Sequence, residues 1–283
     1  MFETRNNKRG YLMLIGGAED KSRDKTVLKK VIKTARAKNV VVIPSASSYP
    51  RDIINNYYDA FKSLGVKEVE GFDIRYPDEA DRNEFLEKIE KADLIFFGGG
   101  DQKRLVEVFR GSRLLERIWD RFNQGTLHIA GTSAGAAAAS NPMTYDGDYN
   151  GFAKGSVNYS EGFGFLEGIT IDTHFLSRER IPRLTQFLLT GKSFKGIGID
   201  EDTGIIISPS LRFEVVGSGL ATVINTEKIT YSDYQEIRER DIYSANNVRI
   251  GFLAAGTKFS IKRWTVLKNY GKNKVLEKSY TWN

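Results

Sequence analysis

Four apolar runs of strand length each end on glycine or a small polar residue, in the segments YLMLIGGAED, VVVIPSAS, LIFFGGGDQ and LHIAGTSAG. Between them, apolar positions recur at helical spacing over residues 26–38, 55–65, 82–92 and 105–110. Continuously apolar strands alternating with amphipathic helices predict an α/β fold, a mostly parallel sheet with helices on both faces. In such a sheet the functional groups gather beyond the carboxyl ends of the strands, where these glycine-rich turns fall. After about residue 203 the pattern changes to short, alternating, turn-punctuated segments: TGIIIS, RFEVVGSG, ATVIN, VRIGFL and KFSIKRWTVL. With no repeat, low-complexity tract or linker to divide the chain, residues 204–283 are expected to form a β-rich, antiparallel extension of one domain spanning residues 1–283.

Composition narrows the chemistry. The 283 residues are 40% hydrophobic, ample for a large core. Zero cysteines exclude disulfides, thiolate metal sites and a cysteine nucleophile, and two histidines are too few for a histidine-rich metal centre. Neither metal nor cofactor is therefore expected. The first apolar run, residues 11–15, is too short for a signal-peptide core or a membrane span, which points to a cytoplasmic protein with no membrane partner. The net charge of +6 comes from the end of the chain, where residues 228–283 carry 11 Lys and Arg against 5 Asp and Glu. In KFSIKRWTVLK those charges alternate with apolar residues, as on the wet face of an exposed sheet, so no nucleic-acid partner is expected.

Within TLHIAGTSAGAAAAS, Ser133 stands in a Gly-x-Ser-x-Gly frame, after a strand over residues 127–130 and before an alanine-rich helix. That is the setting of a nucleophile elbow, in which a sharp turn exposes the hydroxyl and the next N–H, here of Ala134, points at a developing oxyanion. The alternative is a small residue in a tight turn. A serine nucleophile needs a base, and only His128 and His174 exist. At roughly 3.3 Å per residue, His128 lies about 16 Å from Ser133 along one strand, out of reach. His174 follows another apolar run that would bring it to the same sheet edge, and by elimination it is the base. In GIGIDEDTG the orienting carboxylate is Asp200, Glu201 or Asp202; alternation sends Glu201 to the side opposite its neighbours, and spacing does not choose. Gly99 and Gly100 of FFGGGDQKR could aim a second N–H at the oxyanion. IGGAEDK lacks the spacing of a nucleotide fingerprint.

SRERIPRL carries Arg178, Arg180 and Arg183 beside Pro182, which marks a helix start. Cations at a helix N-terminus oppose its dipole, so the cluster suggests a held anion such as a substrate carboxylate. The bland alternative is a surface face pairing with Glu179 and Asp172.

Taken in order, IGGAEDK, IPSAS, GGGDQ, AGTSAGAAA, DTHFLSRERIPRL and GIGIDEDT resemble the cyanophycinases, serine peptidases related to dipeptidase E within the class I glutamine-amidotransferase-like fold. The resemblance covers residues 11–204. It implies a triad of Ser133, His174 and Glu201, an oxyanion site from the Gly100 and Ala134 N–H groups, and a substrate pocket at Gln102, Asp172, Thr173, Arg178, Arg180 and Arg183. It also implies hydrolysis of cyanophycin, a poly-aspartate backbone with arginine on each β-carboxyl, to β-Asp-Arg dipeptides. In that reading the arginines meet substrate carboxylates and Asp172 meets the substrate guanidinium. Beyond cyanophycin or a β-aspartyl peptide, the expected partner is a second copy of the chain, as a homodimer. One position departs: where the family reads Asp-Gln-His-Phe, this chain has Thr173, shorter and without an amide's paired donor and acceptor. Two alternatives remain, an isoaspartyl or α-aspartyl dipeptidase acting on short peptides and, in another class, a non-catalytic module that binds an anion or nucleotide.

Overall fold

A computed structural model describes residues 8–147 and 150–267. From the N-terminus run β1 (Leu12–Ile15), α1 (Thr26–Ala35), β2 (Asn39–Ile43), α2 (Pro50–Ser63), β3 (Glu68–Gly71), α3 (Asn83–Ile89), β4 (Leu94–Phe97), α4 (Gln102–Phe109), α5 (Arg113–Gln124), β5 (His128–Thr132) and α6 (Ala134–Ala138). Then come the short strands β6 (Ser140–Asn141), β7 (Met143–Gly147), β8 (Val157–Ser160) and β9 (Leu166–Glu167), followed by β10 (Thr170–Thr173), α7 (Ile181–Leu189), β11 (Lys195–Ile199), β12 (Thr203–Ile207), β13 (Arg212–Gly217) and β14 (Leu220–Asn225). The last described strands are β15 (Tyr231–Ser232), β16 (Ala245–Asn246), β17 (Arg249–Ala254), β18 (Lys258–Ser260) and β19 (Thr265–Val266).

The main sheet has nine strands in the order β19-β18-β13-β12-β1-β5-β4-β2-β3. From β1 through β5, β4 and β2 to β3 every pairing is parallel. Alternate residues of these strands enter two cores: Met13, Ile15, Val40, Val42, Leu94 and Phe96 pack against α1 and α2, whereas Leu12, Leu14, Val41, Ile95, Phe97 and Ile129 pack against α3 to α6. Burial on both faces is why these strands read as unbroken apolar runs.

Strands β12, β13, β18 and β19, from the region expected to be antiparallel, join the other side of β1 by antiparallel pairing, so the nine-stranded sheet is mixed. The C-terminal region is not confined to that sheet. It is shared with a second, four-stranded sheet in the order β10-β11-β14-β17, in which β14 and β17 add antiparallel to the parallel pair β10 and β11. Alternation marks these strands but says nothing of which sheet each joins. The basic segment behaves as a half-wet strand: Phe259 is buried while Lys258 is exposed. Residues 268–283 of the basic tail lie outside the described residues.

Helix ends follow local chemistry. Asp101 caps α4 by accepting from the Lys103 and Arg104 N–H groups, and Ser112 caps α5 by accepting from Leu115 N–H. The α5 helix, with Gly125 at its left-handed C-cap, is an element that the sequence reading does not identify. Among the described residues no helix is long and apolar enough to cross a membrane.

Candidate active site

The turn from β5 into α6 holds Ser133 at φ 50°, ψ −112°, a conformation that a non-glycine residue keeps only when its surroundings over-determine it. They do so here through backbone contacts. Ser133 N–H donates to the Ile15 carbonyl at 2.9 Å, and its own carbonyl accepts from Ala136 and Ala137 N–H groups. A Cβ on Gly131 would lie 2.4 Å from the Gly135 carbonyl oxygen, and one on Gly135 would lie 2.3 Å from that of Phe97. Both glycines of the Gly-x-Ser-x-Gly frame are therefore required by close approach of the strand and helix.

His174 arrives from the other sheet, which corrects the expectation of a shared sheet edge. It follows β10, and its N–H donates to the Gly16 carbonyl at 2.8 Å. Gly16 and Gly17 form the turn after β1, and a Cβ on Gly17 (φ +103°) would clash with the His174 ring, 2.3 Å from its Cε1. The glycines of IGGAEDK thus seat the histidine. His174 Nε2 lies 2.9 Å from Ser133 Oγ, and Nδ1 lies 2.7 Å from Glu201 Oε1. A carboxylate at Nδ1 fixes the ring so that Nδ1–H donates and Nε2 accepts from the serine hydroxyl.

Of the three carboxylates in the turn between β11 and β12, only Glu201 meets the histidine. Asp200 accepts from Ser177 N–H, and Asp202 accepts from Asp20 N–H and the Ser218 hydroxyl. The Glu201 side chain is 43% exposed. Its hydrogen bond with His174 holds the carboxyl below the usual carboxylate range, opposing the upward push of its partial burial. His128 has a different place: Nδ1 accepts from Tyr11 N–H at 2.9 Å, and burial lowers its pKa below the ordinary histidine value. It is a satisfied residue at the start of β5.

Gly99 lies against the serine, where a Cβ would be 3.4 Å from that of Ser133, and Gly100 follows at φ +138°. Among the described residues neither the Gly100 nor the Ala134 N–H has an acceptor, as an oxyanion site requires.

Beside this group opens a cavity of about 640 Å³ whose lining includes Gln102, Arg178, Arg180 and Arg183 together with the acidic Asp146 and Glu179. Ser133 is not part of its wall; the Gly99–Gln102 turn and the loop after His174 connect the two. Gln102 Nε2 donates to the Thr144 carbonyl. Asp172 and Thr173 do not face the cavity. Asp172, 2% exposed, lies 3.1 Å from Arg180 Nη1 and 3.2 Å from Arg183 Nε, the second contact within ion-pair distance but not aligned as a hydrogen bond. Its Oδ1 also accepts from Thr173 N–H. A carboxylate so placed is neutralised by the two arginines and closed to a substrate guanidinium, which corrects the sequence expectation. Pairing with Asp172 is the bland alternative for the arginines, yet it is buried, not a surface face. Burial lowers the Arg180 pKa from its ordinary value, and Asp172 opposes that shift; the guanidinium stays charged. The buried Arg183 Nη2 has no hydrogen-bond partner among the described residues. Thr173 offers Arg180 only its backbone carbonyl, at 2.7 Å.

Two features of the site escaped the sequence reading. Asp146 is an ordinary exposed acid until the fold brings it into one cavity lining with Glu179, which the sequence names only as a partner for the arginines. Glu19, in IGGAEDK, is buried and accepts from the Thr132 hydroxyl, a neighbour visible only once β1 and β5 are paired. Among the described residues no group of His, Asp and Glu is arranged to hold a metal ion.

Known proteins bear on this arrangement. Residues 12–210 match peptidase family S51. The chain is 32% identical over 257 residues to a cyanophycinase of Geminocystis herdmanii, an alignment covering 90% of this chain and 94% of that one. It is 31% identical over 259 residues to a cyanophycinase of Trichormus variabilis, covering 90% and 87%. Among solved structures, a peptidase from an acI-B1 Actinobacterium superposes with a TM-score of 0.69 at 22% identity, over 89% of this chain and 97% of the other. A putative peptidase E protein from Listeria monocytogenes EGD-e gives 0.51 at 20% identity, over 74% and 98%, so the likeness to both is one of fold. With the family match running from β1 through β12 and so spanning every strand end that carries Ser133, His174 and Glu201, the chain belongs to peptidase family S51 and is a serine peptidase.

Proposed function

We propose that the chain hydrolyses cyanophycin, releasing β-Asp-Arg dipeptides through an acyl-enzyme, with the strand ends arranged as in the class I glutamine-amidotransferase-like fold. The observation that carries this reading is the Ser133–His174–Glu201 relay opening beside an arginine-lined cavity. The cyanophycinases of Geminocystis and Trichormus, alike over nine-tenths of the chain, support the choice of substrate. Ser133 Oγ attacks the scissile carbonyl while His174 Nε2 takes its proton, and Glu201 stabilises the imidazolium. The Ala134 and Gly100 N–H groups hold the oxyanion. His174 then protonates the leaving amine; a water attacks the ester by the same path and frees the serine.

Cyanophycin presents carboxylates and guanidinium groups together, so its site must offer both charges. Arg178 and Arg180 receive carboxylates, and Arg183, also in the cavity lining, adds positive charge behind them. With Asp172 closed off, Asp146 and Glu179 receive the guanidinium. The dipeptidase alternative rests on Thr173, a position that touches the cavity only through Arg180.

Incubation of the purified protein with cyanophycin and with a panel of α- and β-aspartyl peptides, the products identified by mass, tests the proposal. Release of β-Asp-Arg from polymer is the expected result. Turnover of short peptides alone would favour the dipeptidase, and no turnover of either would leave only a binding role.

A further inference from the structure

Beneath the Ser133 turn lies a carboxylate for which the relay above has no use. The Glu19 side chain is wholly buried. Its Oε2 accepts from the Thr132 hydroxyl at 2.7 Å, while Oε1 accepts from the Tyr57 hydroxyl and lies 3.3 Å from Lys21 Nζ. Tyr57 belongs to α2 and is packed among Phe61 and Phe96. Its burial, followed by the nearby charge of Glu19, raises the phenol well above its ordinary pKa, so the phenol is the donor in this bond.

Burying a carboxylate is a poor means of stabilising a fold, since well-packed apolar groups of similar volume serve as well or better. What this one does contribute is a link. Thr132 is the last residue of β5 and the immediate neighbour of Ser133, and Glu19 sits two residues beyond the Gly16–Gly17 turn. That segment already touches both reacting residues: Ile15 accepts from Ser133 N–H, Gly16 accepts from His174 N–H, and Gly17 leaves room for the His174 ring. The Glu19–Thr132 bond closes the frame from the far side, so that the strained serine turn and the turn seating the histidine move as one piece.

The geometry points to Glu19 as a positioning residue, which through Thr132 holds Ser133 Oγ in register with His174 Nε2. This rests on the reading of Ser133 as nucleophile. Thr132→Val is the direct test, because it keeps the branched shape a strand requires and removes only the hydroxyl; Thr132→Ser restores a hydroxyl, and Glu19→Gln removes the charge. Turnover of a soluble β-aspartyl-arginine oligopeptide and the rate at which a serine-reactive phosphonate labels Ser133 are both measured, at a temperature below the melting transition of every variant. Thr132→Val is expected to lower kcat ten- to a hundredfold with KM within about twofold, and to slow labelling in parallel. Glu19→Gln should fall in the same direction, and Thr132→Ser should recover to within about threefold of wild type. Wild-type kcat and labelling rate in Thr132→Val, or a raised KM at unchanged kcat, would overturn the positioning role. A Ser133→Ala control separates the two layers: if it keeps full turnover the serine reading itself falls, and if it is inactive while Thr132→Val is normal, only the role of Glu19 falls.

Discussion

The turn that presents Ser133 and the wall that presents the arginines lie side by side, yet they are held in place by opposite means. Around Ser133 the backbone is held by uncharged contacts, one N–H on Ile15 and two glycines against the strand and helix beside them, and the Glu19–Thr132 bond adds only side-chain register. Around Arg180 and Arg183 the charge that holds both is the buried Asp172, near the end of β10, with the Thr173 carbonyl also on Arg180. A turn fixed by close backbone contact keeps its fold when side chains nearby are changed, even where a change such as Thr132→Val takes the serine hydroxyl out of register. A wall fixed by one carboxylate loses both its charge balance and its shape when that carboxylate is lost. Reactivity and recognition should therefore separate under mutation.

The largest effect is expected at the reacting groups. Ser133→Ala and His174→Ala should each cost several orders of magnitude in kcat, with denaturation midpoints close to wild type, because neither side chain holds the turn that carries it. Asp172→Asn should behave in the reverse manner. Breaking a buried ion pair costs about 3 to 5 kcal/mol of stability, visible as a lower urea midpoint, and binding should weaken with it. If Asp172→Asn kept wild-type stability, the arginine wall would not depend on that charge. Arg178 and Arg183 then sharpen the contrast. The exposed Arg178, changed to alanine, should lose about ten- to a hundredfold in kcat/KM with no change in stability, the worth of one charge-assisted bond of about 1.5 to 3 kcal/mol. Arg183→Ala should lose both, since it leaves Asp172 short of a partner. Lysine at position 178 restoring part of the loss would indicate charge neutralisation, and no recovery would indicate a planar, two-pronged contact.

The smallest effect concerns the histidine outside the relay. Burial lowers the His128 pKa in the fold, so as pH falls below about 6.5 the unfolded chain takes up the proton first. Folding stability should decline across that interval, down to the folded-state value, and His128→Gln should flatten the decline while leaving kcat near wild type. An unchanged pH dependence of the melting temperature in that variant would show that the buried imidazole does not supply the slope.

How much of this was legible beforehand follows the same division. The serine turn is encoded by neighbours in the chain, a strand, a small-residue frame and a helix, so its residues could be named from spacing. His174 could be found by elimination, though not the sheet it comes from, because a short apolar run says nothing about its partners. Glu201 could not be separated from Asp200 and Asp202 by spacing, since the choice depends on how the crossover between two sheets turns. Asp172 was assigned to a ligand because a carboxylate near arginines looks alike whether it faces solvent or lies beneath them; only burial distinguishes the two. Glu19 sits in the same glycine-rich stretch as the turn that seats the histidine, and its partner Thr132 is more than a hundred residues away.

The most direct test is to trap the nucleophile. Protein treated with a serine-reactive phosphonate should gain a single adduct, mapped by mass spectrometry of its peptides to Ser133. In His174→Ala the same adduct should form orders of magnitude more slowly, with the melting temperature unchanged. An adduct on another residue that abolishes activity, or undiminished hydrolysis by Ser133→Ala, would contradict the assignment of Ser133 and His174 as the reacting pair.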